Sequence, residues 1–231
     1  MQYIWQGLNE ALSIVIRGDS EVLDAAFRSV WISCLAVFLA ALAGLPLGSW
    51  LARRSFFGRG FVVQMFRAAM AFPTVFVGIV CYAMLSRQGP LGGFEILYSP
   101  WAIVAGEFIL AFPIVVSLSH GAIRSLDSRV SETAKMLGAN GFQRWTTYLS
   151  EARTGITLAI LSAFSRCVTE LGIAMMVGGN LKGRTRTLST ATALETSQGE
   201  FAKGLAMGLI LLFIALSITL VAGLLSQERE S

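Results

Sequence analysis

The sequence predicts an all-α integral membrane protein, and two observations carry that expectation. Of its 231 residues 55% are hydrophobic and only 14% charged, where soluble domains carry roughly a quarter. Three charge-free runs, 29–52, 68–86 and 204–227, each reach the roughly 20 residues that cross a bilayer as helix. Two further stretches raise the expected count to five. Residues 96–123 are interrupted only by Glu107, and 154–181 only by Arg166 and Glu170, charges that must face protein rather than lipid. The spans are placed at 25–52, 62–86, 97–121, 153–179 and 203–226, in one transmembrane domain covering 1–231. No internal repeat or low-complexity linker divides it.

Ahead of the first span, Ile4, Trp5, Leu8, Leu12, Val15 and Ile16 fall on one helical face and Gln6, Glu10, Ser13 and Arg17 on the other. That pattern predicts an interfacial helix lying along the headgroups, with Gly18 and Asp19 turning the chain inward. Basic residues then set the topology. Arg53, Arg54, Arg59 and Arg67 follow the first span, and Arg124, Arg129, Lys135, Arg144 and Arg153 separate the third from the fourth. Both loops are expected in the cytoplasm, which puts the N-terminus outside and the short C-terminus inside.

Within the spans, Pro46, Pro73 and Pro113 each remove a backbone donor and predict kinks, the last two in matching Ala-Phe-Pro contexts. Such kinks either shape a path for rocking helices or merely bend the bundle. Arg166 and Glu170 are four apart and can pair. The plainer reading is a buried pair, or a triad with Glu107, that locks the third and fourth spans together. The functional reading is that Glu107, Arg166 and Glu170, with Pro73 and Pro113, line a gate or pathway.

The loop 124–150 reads as two short amphipathic helices. Asp127 or Ser128 can cap the first, in which Val130, Ala134 and Leu137 recur at helical spacing, and Gly138 stands where a left-handed residue would end it. Phe142, Trp145, Tyr148 and Leu149 share a face of the second, across the flexible run Gly138-Ala139-Asn140-Gly141. Such a unit can be gripped by a partner. On the other side of the membrane, Lys182, Arg184, Arg186 and Lys203 run against the positive-inside tendency. Arg184, Arg186 and Thr187, before a short helix expected near 189–196, could guide an oxyanion. Alternatively these bases meet lipid headgroups or the acidic edge of a docked partner.

Glu132-Thr133-Ala134, followed after three residues by Gly138, resembles the Glu-Ala-Ala…Gly signature of the permease subunit of bacterial ATP-binding-cassette importers. Thr133 replaces the middle alanine, and Glu151 stands where that family often has proline. The run MMVGGNLKGRTRTLSTATALETSQGEF and the segment Ser86-Arg87-Gln88-Gly89-Pro90-Leu91-Gly92 are similar to loops of its molybdate and tungstate branch. The resemblance implies the importer permease fold in a bacterial plasma membrane, with Glu132, Thr133, Ala134, Leu137, Gly138, Ala139 and Phe142 coupling to an ATPase. It further implies a homodimer, a pair of cytosolic ATPase subunits that bind ATP and Mg, and an extracytoplasmic binding protein delivering tungstate.

The chain itself carries no GxxxxGK[ST] phosphate loop, so it is not expected to hydrolyse ATP or to bind a cofactor. His120 is the only histidine, and Cys34, Cys81 and Cys167 lie singly inside spans, so no metal site is expected. Its basic residues follow from topology and not from nucleic acid. Three rivals stay open. The same machinery could serve molybdate or sulfate, a secondary carrier could use Glu107, Arg166 and Glu170 as a proton relay, and a scaffold could use the helix pair for docking alone.

Overall fold

A computed structural model describes residues 2–227, with the side chains of 7–224, and shows α-helices joined by turns. Helix α1 (Gln2–Arg17) ends at Gly18, whose φ of 68° turns the chain into α2 (Ser20–Arg53). Asp19 caps α2 by accepting from the amides of Glu21 and Val22 at 2.9 and 3.3 Å. At 34 residues, α2 is about 50 Å long, so it projects beyond the roughly 30 Å hydrocarbon layer. Then come α3 (Arg59–Ala69), α4 (Thr74–Leu85), a 3-10 turn at Gly92–Phe94 and α5 (Pro100–Arg124). The chain continues through α6 (Ser128–Met136), α7 (Gly141–Glu151), α8 (Arg153–Val168), a π-helical turn at Ala174–Gly178, α9 (Leu188–Ser197) and α10 (Phe201–Gln227).

Helices α2 and α5 form the spine, with α8 packed on both and α10 packed on α8, α9 and α1. Their interface is built from small residues: Ala36, Ala40, Ala102, Ala111 and Ala163 are fully buried. That is how helices attract one another in lipid, where apolar surface alone gives no preference and close backbone approach must supply dispersion. Gly48 of α2 shows how close the approach is, since a Cβ there would lie 2.2 Å from Ser119 Oγ. Gly106 of α5 likewise makes room for Ile173, whose side chain stands 2.3 Å from where a Cβ would be.

Among the described residues, α2, α5 and α10 are the helices long and apolar enough to cross a membrane singly. The stretch 62–86 is instead divided between α3 and α4, which meet at 97°. Pro73 is the residue at the break, where it caps α4, and the residue before a proline disfavours helical backbone. Pro113 sits in the same Ala-Phe-Pro context yet lies inside a continuous α5. The difference is support. Pro113 is buried in a helix held by α2 and α8, whereas α3 has no buried residue.

The stretch 153–179 is also interrupted. Helix α8 stops at Val168, and after Glu170 the chain resumes as a tight turn that seats Ile173, Ala174 and Val177 against Ile103 and Val77. The N-terminal helix α1 buries Ala11 and packs Ile14 toward Leu188 and Met207, while Leu12 and Ile16 face outward. The side chains of Ile4 and Trp5, expected on its apolar face, lie outside the described residues.

Candidate functional site

The helix pair α6–α7 sits at the same end of the bundle as the C-terminus of α2. Asp127 caps α6, accepting from the Arg129 amide at 2.9 Å and pairing with its guanidinium at 2.8 Å. Donation from the Arg129 side chain, then from its backbone, holds the Asp127 carboxyl below the usual carboxylate range. At the other end Gly138 has a φ of 74°; its amide donates to Lys135 O and the Ala139 amide to Ala134 O, both at 3.0 Å. These two bonds are the Schellman closure of a helix. Asn140 then starts α7 through a reciprocal box with Gln143, at 2.9 and 2.8 Å.

The turn between these caps is apolar and uncovered. Met136 is 87%, Leu137 81% and Phe142 69% exposed, beside exposed Glu132 and Thr133, while Ala134 is buried and Ala139 half-buried. The expected sharing of one face by Phe142, Trp145, Tyr148 and Leu149 holds only in part. Phe142 packs at a tilt against Trp145 with centroids 5.7 Å apart, but Tyr148 turns inward among Ala52, Ile123, Ala152 and Ile156.

The inward side of α7 is fastened to α2. Trp145 Nε1 donates to Ser49 Oγ at 2.8 Å, and the Arg53 guanidinium lies 4.0 Å above the Tyr148 ring. The Tyr148 hydroxyl is 2.9 Å from Ser131 Oγ and accepts from Arg144 at 3.4 Å, tying α6 into the same network. Ser49 had no place among the sequence candidates. Its signal is slight, a single hydroxyl one turn after Pro46 in an otherwise apolar run.

Of the charges within the spans, Arg166 and Glu170 pair at 2.7 Å, the Glu170 side chain 2% exposed and the Arg166 side chain 40% exposed. The second carboxylate oxygen of Glu170 accepts from the Ile173 amide at 3.1 Å, so the residue both ends α8 and starts the turn after it. Glu107 does not complete a triad. It is buried on α5 with its Oε2 unpaired, and the ion pair at this place joins Arg166 to Glu170 alone. A buried carboxylate oxygen outside any ion pair is what the lock between spans was expected to avoid. Pro113 is buried on the same helix, and Pro73 is exposed at the α3–α4 break.

The loop from Leu181 to Thr187 ties two of the expected anion-facing residues into the chain itself. Arg186 Nη1 pairs with Glu195 at 3.0 Å, with side chains 11% and 8% exposed, and the Arg186 carbonyl accepts from Arg28 at 3.0 Å. Thr187 is not free either. It is the buried N-cap of α9, its hydroxyl accepting from the Thr190 amide at 3.4 Å while Thr190 Oγ1 accepts from the Thr187 amide at 2.9 Å. Lys182 and Lys203 both pair with Glu21 at the start of α2, the second at 2.6 Å. Intramolecular acids therefore answer three of the four bases that run against the positive-inside tendency. Arg184 is exposed. The acids Glu21 and Glu195 were the missing signal, since the topology places them on the side of these bases.

Known proteins are similar to this chain. A tungstate uptake system permease protein of Peptoclostridium acidaminophilum is 32% identical over 99% of this chain and 100% of its own length. One from Campylobacter jejuni is 35% identical over 96% of this chain and 92% of its own. Among solved structures, an inward-facing methionine ABC transporter superposes with a TM-score of 0.69 at 15% identity, covering 91% of this chain and 96% of that one, and so has the same fold. Residues 44–230, from the middle of α2 through α10 and including the α6–α7 pair, match the family described as binding-protein-dependent transport system inner membrane component, and the chain belongs to that family.

Proposed function

We propose that the chain is the translocating subunit of a binding-protein-dependent importer for tungstate, working as a homodimer with a pair of cytosolic ATPase subunits. The observation that carries this is the uncovered apolar turn of Met136, Leu137 and Phe142, closed rigidly at Gly138 and fastened to α2 behind it. A surface so exposed in the chain alone fits a groove of a partner, and burying a Leu or Phe side chain there contributes about 2 kcal/mol each. The near full-length similarity to two tungstate permeases supports the substrate.

In this reading five spans cross the membrane, the bent α3–α4 pair and the interrupted α8 segment counting as one each. The N-terminus is outside and the α6–α7 pair and the C-terminus are cytoplasmic. A loaded binding protein docks on the outer loops. ATP and Mg bind the partner ATPase, whose closure pulls α6 and α7, and the Ser49–Trp145 and Arg53–Tyr148 contacts pass the movement to α2. ATP can bias the two states of the permease only because the ATPase grips them differently. The Arg166–Glu170 pair and Glu107 organise the gate, where the interruption of α8 and the break at Pro73 supply its hinges and Pro113 lines it from α5. Arg184 remains the outer-loop base facing solvent and available to an arriving oxyanion.

The test is uptake of radiolabelled tungstate by proteoliposomes containing this chain, its ATPase and its binding protein, with molybdate and sulfate as competitors. Uptake blocked by unlabelled tungstate and little affected by sulfate is expected. Uptake of sulfate in preference would remove the tungstate assignment, and transport without any ATPase would remove the importer mechanism.

A further inference from the structure

Behind the α6–α7 turn lies a cavity of about 670 Å³ whose lining includes Trp50, Arg53, Arg54, Lys135, Arg144 and Tyr148. Four of these residues are cationic and none of the lining residues carries a carboxylate. Tyr148 gathers two of the guanidinium groups, Arg53 stacked 4.0 Å above its ring and Arg144 donating to its hydroxyl at 3.4 Å. Arg53 Nε and Nη2 and Arg144 Nε are shielded from solvent and have no hydrogen-bond partner. These nitrogens lie within the cavity wall, and the cationic side chains gathered here, with no carboxylate in the lining, favour an anion in the space before them.

We propose that this cavity is a binding site for a phosphate-type oxyanion, carried by an anionic phospholipid headgroup or free in solution. Its position favours the lipid. Trp50 and Phe56, tilted against each other with centroids 5.0 Å apart, stand at the end of α2 beside it, as aromatic residues do at the headgroup level. Pro46 and Trp50 are exposed on the same rim and supply an apolar wall for the upper acyl chain, while Arg53, Arg54, Lys135 and Arg144 face the phosphate. Basic pockets between spanning helices on the cytoplasmic side hold anionic headgroups in this manner. Because both walls belong to the joint between α2 and α7, an occupant would brace that joint. The reading rests on the orientation proposed above only for the choice of leaflet.

The test measures binding apart from transport. The assembled transporter is placed in nanodiscs of mixed phosphatidylglycerol and phosphatidylcholine, and retained lipid is read by native mass spectrometry. Wild type should retain phosphatidylglycerol selectively, and Arg144→Gln and Arg54→Gln should each weaken retention about fivefold, as expected for one basic residue near an anionic headgroup. Arg54 is exposed, so its variant keeps the test open if Arg144→Gln fails to fold. A second arm titrates the delipidated transporter with inorganic phosphate; binding there that Arg144→Gln abolishes, without selective lipid retention, assigns the site to a free oxyanion. Equal lipid retention by wild type and both variants, with no phosphate binding, overturns the proposal. A failed uptake assay with lipid retention intact would instead count against the transport reading alone.

Discussion

Gly138 has open space around the position a Cβ would occupy, yet its φ of 74° penalises any L side chain by roughly 1–2 kcal/mol. Gly138→Val is therefore expected to spare the bundle and disturb the turn, lowering ATP-dependent uptake more than the amount of folded protein extracted from the membrane. Equal losses of both would count against a role in coupling. At Arg186 and Glu195 the expectation is structural. Either Arg186→Gln or Glu195→Gln leaves a charge in a largely dry site, at a cost of about 3 kcal/mol, and should lower the unfolding temperature in detergent. The double replacement Arg186→Met with Glu195→Leu should recover much of the loss; no recovery would mean that the two side chains do not act as a pair. Neither residue's part was legible in the chain. A base in a presumed outer loop reads as available until the fold brings an acid on the next helix within hydrogen-bond distance.

Two elements with the same local sequence took different shapes, and the reason lies outside that sequence. Ala71-Phe72-Pro73 ends one helix and begins another at 97°, whereas Ala111-Phe112-Pro113 stays helical, because neighbours on α2 and α8 clamp α5 while α3, packed on α5, has no buried residue. Hydropathy reports the apolar length of such a stretch but is blind to its bend. By contrast, the caps of α6 were legible residue by residue: Asp127 at its start and Gly138 at its end act through backbone chemistry a few positions away. What the pattern omitted was the tie from α7 to α2. Trp145→Phe and Ser49→Ala each remove that hydrogen bond, worth about 1 kcal/mol, and should lower uptake by a similar factor. Combined, they should cost little more than either alone, because they interrupt one contact. Fully additive losses would mean the two side chains act separately.

Across the whole molecule, the sequence's apolar runs account for the bundle, and its interruptions mark where the bundle departs from straight spans. Glu170 illustrates both, ending α8, pairing with Arg166 and starting the turn that packs under Gly106. Glu170→Gln keeps the shape but leaves Arg166 without its counter-charge, so assembly should survive at reduced stability while uptake falls. Unchanged assembly and uptake would discard the gate. The central claim is that the α6–α7 turn carries the force of ATP hydrolysis into these helices, and Leu137, 81% exposed at its tip, tests it most directly. The measurement is tungstate uptake by proteoliposomes with and without ATP, comparing wild type with Leu137→Glu and following retention of the ATPase on the tagged chain. Wild type should show ATP-dependent uptake, and Leu137→Glu should lose both ATPase retention and uptake with the bundle still folded. Full uptake and full ATPase retention by Leu137→Glu would contradict it.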